Sequence, residues 1–176
     1  MTRVNLVDPK TATDTRREVL DQVAAAFGRV PNGVKVLAAS EPALTAWWAF
    51  EGALSQGTLS RQLREQIAVL TAEFNNCGYC LAAHTAAGKA VGVSAEDIAS
   101  ARKGITTDPF AAAVLEFAKE ALDTRGQLGD ATIAAARQAG VTEEQFLEIL
   151  ALVSINTFTN YAHRFAHTEL DFPAVS

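Results

Sequence analysis

The chain of 176 residues has few of the features that mark specialised classes of protein. Its two cysteines are too few for the disulfide framework of a small secreted domain, and a chain of this length can bury a core without one. No apolar run reaches the ~18 residues that a membrane-spanning helix needs. The net charge of −5 and the lack of a basic run disfavour a nucleic-acid surface. We therefore expect a protein that binds neither nucleic acid nor membrane.

The N-terminal segment also lacks the marks of a targeting sequence. It reads MTRVNLVDPKTATDTRREV, with no apolar stretch of signal-peptide length and with acidic residues that transit peptides avoid. We therefore expect a cytoplasmic protein. In that reducing compartment, a close pair of cysteines is more often catalytic or metal-binding than a passive crosslink.

Helix-forming sequence is what the chain has in abundance. Apolar residues make up 49% of it, alanine is frequent, and apolar positions recur at spacings of three and four rather than alternating. Ser60 and Ser94 stand where helix N-caps are expected. We predict one all-α domain over residues 1–176, a single-domain helical bundle of about eight or nine helices. Six phenylalanines are expected in its core: Phe74, Phe110, Phe117, Phe146, Phe158 and Phe165.

Both cysteines lie in the stretch 73-EFNNCGYCLAAHTAAG-88. If the chain is helical from Cys77 onwards, Cys80 and His84 are one turn apart, and Cys77 shares their face. In a first helical turn, unpaired N–H groups and the positive end of the helix dipole would favour thiolate at Cys77, and an imidazole can accept the thiol proton. Two cysteines at this spacing can also close a disulfide. The pattern favours a thiolate that is oxidised and then resolved by its partner.

Glu65 lies on the preceding predicted helix, within a mostly apolar strip. If its carboxylate is partly buried, its pKa should be raised and it could relay protons to His84 or to the thiols. Alternatively, Glu65 is a surface residue that pairs with Arg61 or Arg64, which the spacing allows equally well.

One group of residues resembles the core of a known family, the AhpD-like alkylhydroperoxidase / carboxymuconolactone decarboxylase family. The residues are Leu63-Arg64-Glu65, followed after an apolar helix by Asn75, Cys77, Tyr79, Cys80 and His84. The resemblance is strong over about residues 60–90 and extends to 154–173. It implies an AhpD-like all-α fold, a homo-oligomer such as a trimer or hexamer, and thiol-dependent reduction of organic hydroperoxides. It also implies a dithiol or thioredoxin-like electron donor, with no cofactor or metal.

The resemblance assigns a role to each matching residue in a redox core of about residues 60–92. By position, Cys80 matches the peroxidatic cysteine and Cys77 the resolving cysteine. Glu65 and His84 match the members of the proton relay. The chain departs from the best-studied members at Tyr79, where they have a second histidine; a tyrosine does not exchange protons near neutral pH as histidine does.

Two other functions compete with the peroxidase. Cys77, Cys80 and His84 could ligate zinc, or the cysteines could act as a redox sensor, in a helical oligomer without fast turnover; however, no further cysteine is present to complete a structural zinc site. A carboxymuconolactone decarboxylase-like enzyme could instead use Glu65 or His84 as its acid and base, although that branch typically lacks the cysteine pair.

Two further pairs of side chains are candidates for a functional role. His163 and His167 are one turn apart near the end of the last predicted helix, so they could bind a metal, interact with the helix C-terminus or line a pocket. Trp47 and Trp48 are adjacent and cannot both face one core. We expect one of them to meet a subunit partner or the pocket, while packing is the ordinary role of both.

Overall fold

The computed structural model describes residues 2–175, so Met1 and Ser176, the ends of the predicted domain, lie outside the described residues. Within this range the chain forms nine α-helices and no β-strand, which confirms the predicted all-α, single-domain fold. The helices are α1 Asp14–Phe27, α2 Asn32–Leu37, α3 Glu41–Leu54, α4 Arg61–Phe74, α5 Gly78–Ala90, α6 Ala95–Ala101, α7 Pro109–Thr124, α8 Asp130–Gln138 and α9 Glu143–Ala166.

Side-chain caps define several of the helix starts. The Ser60 hydroxyl accepts a hydrogen bond from the Leu63 N–H at 3.2 Å, and the Ser94 hydroxyl accepts one from the Asp97 N–H at 3.0 Å. Both caps were expected from the sequence, because a serine hydroxyl satisfies one of the N–H groups that the first helical turn leaves unpaired. These two caps fix where α4 and α6 begin.

The core has two parts that meet along the long helix α9. The first lies among α4, α5, α7 and α9 and includes the fully buried Ile67, Leu115 and Ile149. The second lies among α1, α2 and α3, includes Leu20 and Leu44, and reaches Ile155 of α9. Because α3 belongs to one part and α5 to the other, the space between these two helices is where a cavity can form.

The phenylalanine prediction is wrong at three positions. Phe117 is buried, and Phe110 and Phe146 pack against the first part of the core. The other three side chains are exposed: Phe74 by 46%, Phe158 by 43% and Phe165 by 63%. On α9 the inward face is occupied by residues such as Ile149 and Ile155, and the helical repeat turns Phe158 and Phe165 to the opposite side.

No helix in residues 2–175 is both long enough and apolar enough to cross a membrane.

Candidate active site

A tight turn between α4 and α5 positions the cysteine pair. The Cys77 N–H donates to the Ala72 carbonyl at 2.9 Å, and the Asn76 N–H donates to the Glu73 carbonyl at 2.9 Å. These two bonds form the pattern that closes a helix C-terminus when the residue after the cap adopts a left-handed conformation. Asn76 has that conformation, with φ 53°. The turn leads the chain directly from α4 into α5.

Asn75, the first residue of the family-like motif in this turn, links it to α9. Its side-chain amide donates a hydrogen bond to the Asn160 Oδ1 atom at 3.0 Å, and both residues are buried. A buried amide without a partner would be costly, so this bond favours one placement of the turn against α9.

Cys77 and Cys80 form a disulfide, and both are 2% exposed. Cys77 occupies the N-cap of α5, one residue before the first turn where the sequence placed it, and its Sγ accepts a hydrogen bond from the Cys80 N–H at 3.3 Å. Cys80 is the third helical residue, so its sulfur lies near the positive end of the helix, which favours a thiolate after reduction.

Glu65 pairs with His84 rather than with a neighbouring arginine. The Glu65 Oε2 and His84 Nδ1 atoms are 2.9 Å apart, with side-chain exposures of 20% and 25%. Arg64, one of the two alternative partners, donates to the Leu54 carbonyl at 2.6 Å. The surface interpretation of Glu65 is therefore wrong, because the carboxylate turns inward towards α5.

Two opposing effects set the pKa of His84. Burial alone would lower it, but the hydrogen bond that His84 donates to Glu65 and the negative charges of Glu65 and Glu51 outweigh burial. The pKa of His84 is therefore raised above its ordinary value of 6.5. The raised pKa favours the protonated imidazole paired with the Glu65 carboxylate.

Glu51 is a second carboxylate at this site, and it was not predicted from the sequence. It lies on α3 and interacts electrostatically with His84, Glu65 and Arg64. Burial raises its pKa above the ordinary 4.5; the charge of His84 opposes that rise and the charge of Glu65 adds to it. The available signal was its place one helical turn after Trp47, a residue expected to face a core or a pocket.

Tyr79 is fixed by hydrogen bonds on both sides. Its hydroxyl accepts a bond from the Gly33 N–H at 2.7 Å and donates one to Asp171 Oδ1 at 3.0 Å. The other Asp171 oxygen accepts from Arg29 Nη1 at 2.8 Å. Burial raises the pKa of Tyr79, opposed by the Gly33 hydrogen bond and supported by Asp171, so the phenol stays protonated. Tyr79 therefore acts as a fixed link among α2, α5 and residues 170–172.

Gly33 is needed where α2 passes Tyr79. A Cβ atom at this position would lie 2.7 Å from Tyr79 Cε1 and 2.9 Å from the ring of His163, both closer than van der Waals contact allows. Only glycine lets the backbone approach the two rings and reach the tyrosine hydroxyl.

The two histidines of α9 do not form a pair. His163 is buried, its ring lies 4.9 Å from that of Tyr79, and its Nδ1 atom is 3.3 Å from Thr168 Oγ1. Burial, with a smaller contribution from the charge of His84, lowers its pKa to about 4. His167 is the exposed left-handed C-cap of α9. Over residues 2–175, no three or more His, Cys, Asp and Glu side chains group in a way that could hold a metal ion.

These side chains meet around one cavity of about 710 Å³ between α3, α4, α5 and α9. Of the two cysteines, only Cys80 contributes to its wall, whereas Cys77 packs behind it in the core. Trp47 and Trp48 both line the cavity, although only one was expected to do so. The residues of the cavity wall that bear on its chemistry are Glu51, Glu65, Tyr79, Cys80, His84 and His163.

Comparison with known proteins agrees with this geometry. A model of the carboxymuconolactone decarboxylase family matches residues 41–124, from the start of α3 to the end of α7. That range contains both cysteines, Glu65, His84 and Glu51. No curated protein matches the sequence significantly.

The fold is similar to several crystal structures. One is an alkylhydroperoxidase AhpD core protein, an uncharacterized peroxidase-related protein from Ralstonia eutropha JMP134; it is 25% identical, covers 97% of this chain and 92% of its own, and gives a TM-score of 0.85. A peroxidase-related protein from Silicibacter sp. TM1040 is 22% identical over 96% and 94%, with a TM-score of 0.80. The debrominase Bmp8 is 18% identical over 97% and 93%, with a TM-score of 0.81.

The family model spans the residues that surround the cavity, and the AhpD-like fold extends over nearly the whole chain. The segment from α3 to α7 therefore matches the carboxymuconolactone decarboxylase family, and the chain has the AhpD-like, peroxidase-related fold.

Proposed function

We propose that the protein is a thiol-dependent peroxidase that reduces organic hydroperoxides through Cys80 and Cys77. The observation that carries the proposal is the arrangement around the cavity. Cys80 lies in its wall and is already within bonding distance of Cys77, and the Glu65–His84 pair lies in the same wall. A nucleophilic sulfur, a resolving sulfur and a proton acceptor therefore meet where a substrate of moderate size can enter.

The chemistry takes two steps in the reduced protein. His84 accepts the Cys80 thiol proton, and the thiolate attacks the outer oxygen of the hydroperoxide. The O–O bond breaks, Cys80 becomes a sulfenic acid, and the leaving alkoxide takes up a proton to form the alcohol. The Cys77 sulfur then attacks the Cys80 sulfur, which releases water and closes the disulfide. A dithiol or thioredoxin-like donor reduces the disulfide again by thiol–disulfide exchange.

A thiol titration tests this proposal. The dithiol-reduced protein, freed of reductant, is treated with cumene hydroperoxide, and its free thiols and the cumyl alcohol formed are counted. Both thiols should be lost for each alcohol formed. Cys80→Ser should abolish alcohol formation, whereas Cys77→Ser should form one equivalent of alcohol and stop at the sulfenic acid.

Other outcomes would support the competing functions. Full peroxide turnover by Cys80→Ser would contradict the assignment of the peroxidatic cysteine. Zinc bound stoichiometrically by both cysteines, without peroxide turnover, would favour the sensor or metal-binding protein. Activity on a lactone acid that survives replacement of both cysteines would favour acid–base catalysis by Glu65 or His84.

Reductive dehalogenation is a second candidate for the same dithiol. Trp47, Trp48, Tyr79 and Phe172 give the cavity aromatic walls next to Cys80, which suits a planar halogenated ring. The debrominase Bmp8 shares the fold, and its cysteine-to-alanine variant has been crystallised with 2,3,4-tribromopyrrole. Bromide release from a brominated pyrrole by the reduced protein, without alcohol formation from cumene hydroperoxide, would favour this candidate.

A further inference from the structure

Glu51 lines the same cavity as the residues that the proposed peroxidase uses. It is on α3, whereas Glu65 is on α4 and both Cys80 and His84 are on α5, and all four line one cavity. Glu51 interacts electrostatically with both His84 and Glu65, so its carboxyl group lies near that pair. Glu51 is therefore an acidic group in the wall of the space where a hydroperoxide would lie.

The reaction needs a proton at the leaving oxygen when the O–O bond breaks. Reduction of one hydroperoxide by two thiols yields an alcohol, water and a disulfide. When the Cys80 thiolate attacks, the O–O bond breaks and a strongly basic alkoxide leaves. In the proposed cycle His84 takes the thiol proton, while Glu65 is engaged with His84 Nδ1. A separate donor beside the leaving oxygen would avoid the formation of a free alkoxide.

We propose that Glu51, as a neutral carboxylic acid, donates a proton to the alkoxide that leaves when Cys80 attacks a hydroperoxide. This inference rests on the peroxidase function proposed above. The Glu51 O–H bond breaks, the proton passes to the leaving oxygen as the O–O bond breaks, and Glu51 becomes a carboxylate. It regains a proton from solvent through the cavity before the next turnover.

The electrostatic surroundings favour this role. Burial favours the neutral form of Glu51, and the negative charge of Glu65 acts in the same direction. His84 and Arg64 then stabilise the carboxylate that forms during the reaction. The two carboxyl groups thus have different roles because their surroundings differ. Glu65 orients the His84 imidazole, and Glu51 carries the proton that is transferred.

The leaving group provides the test. The reduced protein is oxidised in single-turnover experiments by cumene hydroperoxide, which must expel an alkoxide, and by peracetic acid, which expels acetate and needs no proton donor. For Glu51→Gln we expect a rate constant about 10²-fold lower with cumene hydroperoxide and almost the wild-type value with peracetic acid. Glutamine keeps the size and the hydrogen-bonding capacity of the side chain but has no acidic proton, and Glu51→Asp should recover part of the lost rate.

Glu73→Gln is the matched control, because Glu73 is an exposed carboxylate of α4 that pairs with Arg102. It should leave both rate constants unchanged. Equal losses with the two oxidants would show that Glu51 only supports the structure, and an unchanged cumene hydroperoxide rate would remove it from the reaction; either result overturns the inference while the peroxidase stands. Wild-type protein that forms no alcohol from cumene hydroperoxide would instead overturn the peroxidase function, and the inference with it.

Discussion

Tyr79 lies between the two cysteines in sequence, and its contacts hold the backbone in place rather than transfer protons. Its hydroxyl is held by Gly33 and Asp171, its ring by His163, and burial keeps it protonated. The family resemblance places a relay histidine at this position in the best-studied members. In the proposed cycle, proton transfer is assigned to His84 and Glu51, whereas Tyr79 fixes the first turn of α5.

Tyr79→Phe should therefore lower stability without changing the shape of the pH–rate profile. Removal of the hydroxyl leaves a buried backbone N–H and a carboxylate without their partner, which should lower the free energy of unfolding by about 1–3 kcal/mol. Urea unfolding measures this loss. Tyr161→Phe, at the exposed tyrosine of α9, is the control and should be neutral. A shifted kinetic pKa in Tyr79→Phe would contradict this prediction and show that Tyr79 takes part in proton transfer.

His84 and Glu65 should govern a pH-dependent contribution to stability. The folded-state pKa of His84 is raised above 6.5, so its pairing with Glu65 stabilises the protein fully below pH 6.5 and is lost as the pH rises through the raised value. In Glu65→Gln, burial opposes the imidazolium with less compensation. We expect the His84 pKa to fall in this variant, measured by NMR titration of its Cε1 proton. An unchanged value would mean that Glu65 does not set it.

At the scale of the helix, the turn between α4 and α5 decides where the sulfurs lie. Asn76 has a positive φ, and Cys77 follows it directly at the N-cap of α5. An asparagine tolerates this backbone conformation, whereas a β-branched side chain does not. The turn thus joins α4, which carries Glu65, to α5, which carries His84, through only three residues, 75–77.

Substitutions at Asn76 test that joint. Asn76→Val should destabilise the fold by about 1–2 kcal/mol, because valine resists the left-handed region, and should slow disulfide closure by displacing Cys77. Asn76→Gly, the control, should keep both properties close to wild type. Unfolding midpoints and the rate of thiol loss after oxidation report the two effects. If Asn76→Val closed the disulfide at the wild-type rate, the conformation of this turn would not control disulfide formation.

Much of this architecture could be predicted from local sequence. The caps at Ser60 and Ser94 identify helix starts, and the spacing from Cys77 to His84 places the pair and the imidazole on one helix. The approach of Glu51 to His84 and of Asp171 to Tyr79 could not be predicted, because these residues are far apart in sequence and meet only through tertiary packing. The outward side of α9 was also missed, since Phe158 and Phe165 are as apolar as the residues on its inward side.

The molecule as a whole leaves an apolar stripe uncovered along α9. Phe158, Tyr161 and Phe165 are exposed at the three- and four-residue spacing of a helix-pairing seam, and the exposed Leu147 lies on the same side three turns before Phe158. Exposed stripes of this kind often mark contacts between proteins. We propose that a second copy of this chain covers the stripe, in keeping with the homo-oligomer expected from the family resemblance.

Phe158→Glu combined with Phe165→Glu should shift the protein towards the monomer. Two charges on the seam would have to be desolvated in the paired state, which weakens association. Sedimentation velocity measures the change over a range of concentrations. Ile105→Glu, at an exposed apolar residue outside α9, is the control. Double-variant protein that sediments like wild type would place the contact elsewhere.

The placement of the two sulfurs also constrains the kinetics. Both cysteines are almost fully buried, and of the two only Cys80 borders the cavity. In the proposed peroxidase, the hydroperoxide and the reducing dithiol therefore have to reach Cys80 through the same cavity at different times. The hydroperoxide reacts with the dithiol form and the reducing dithiol reacts with the disulfide form. Either reactant in excess would occupy the cavity in the form with which it does not react. The enzyme should follow a ping-pong rate law with inhibition by an excess of either reactant, and a slender dithiol should reduce it faster than a bulky one.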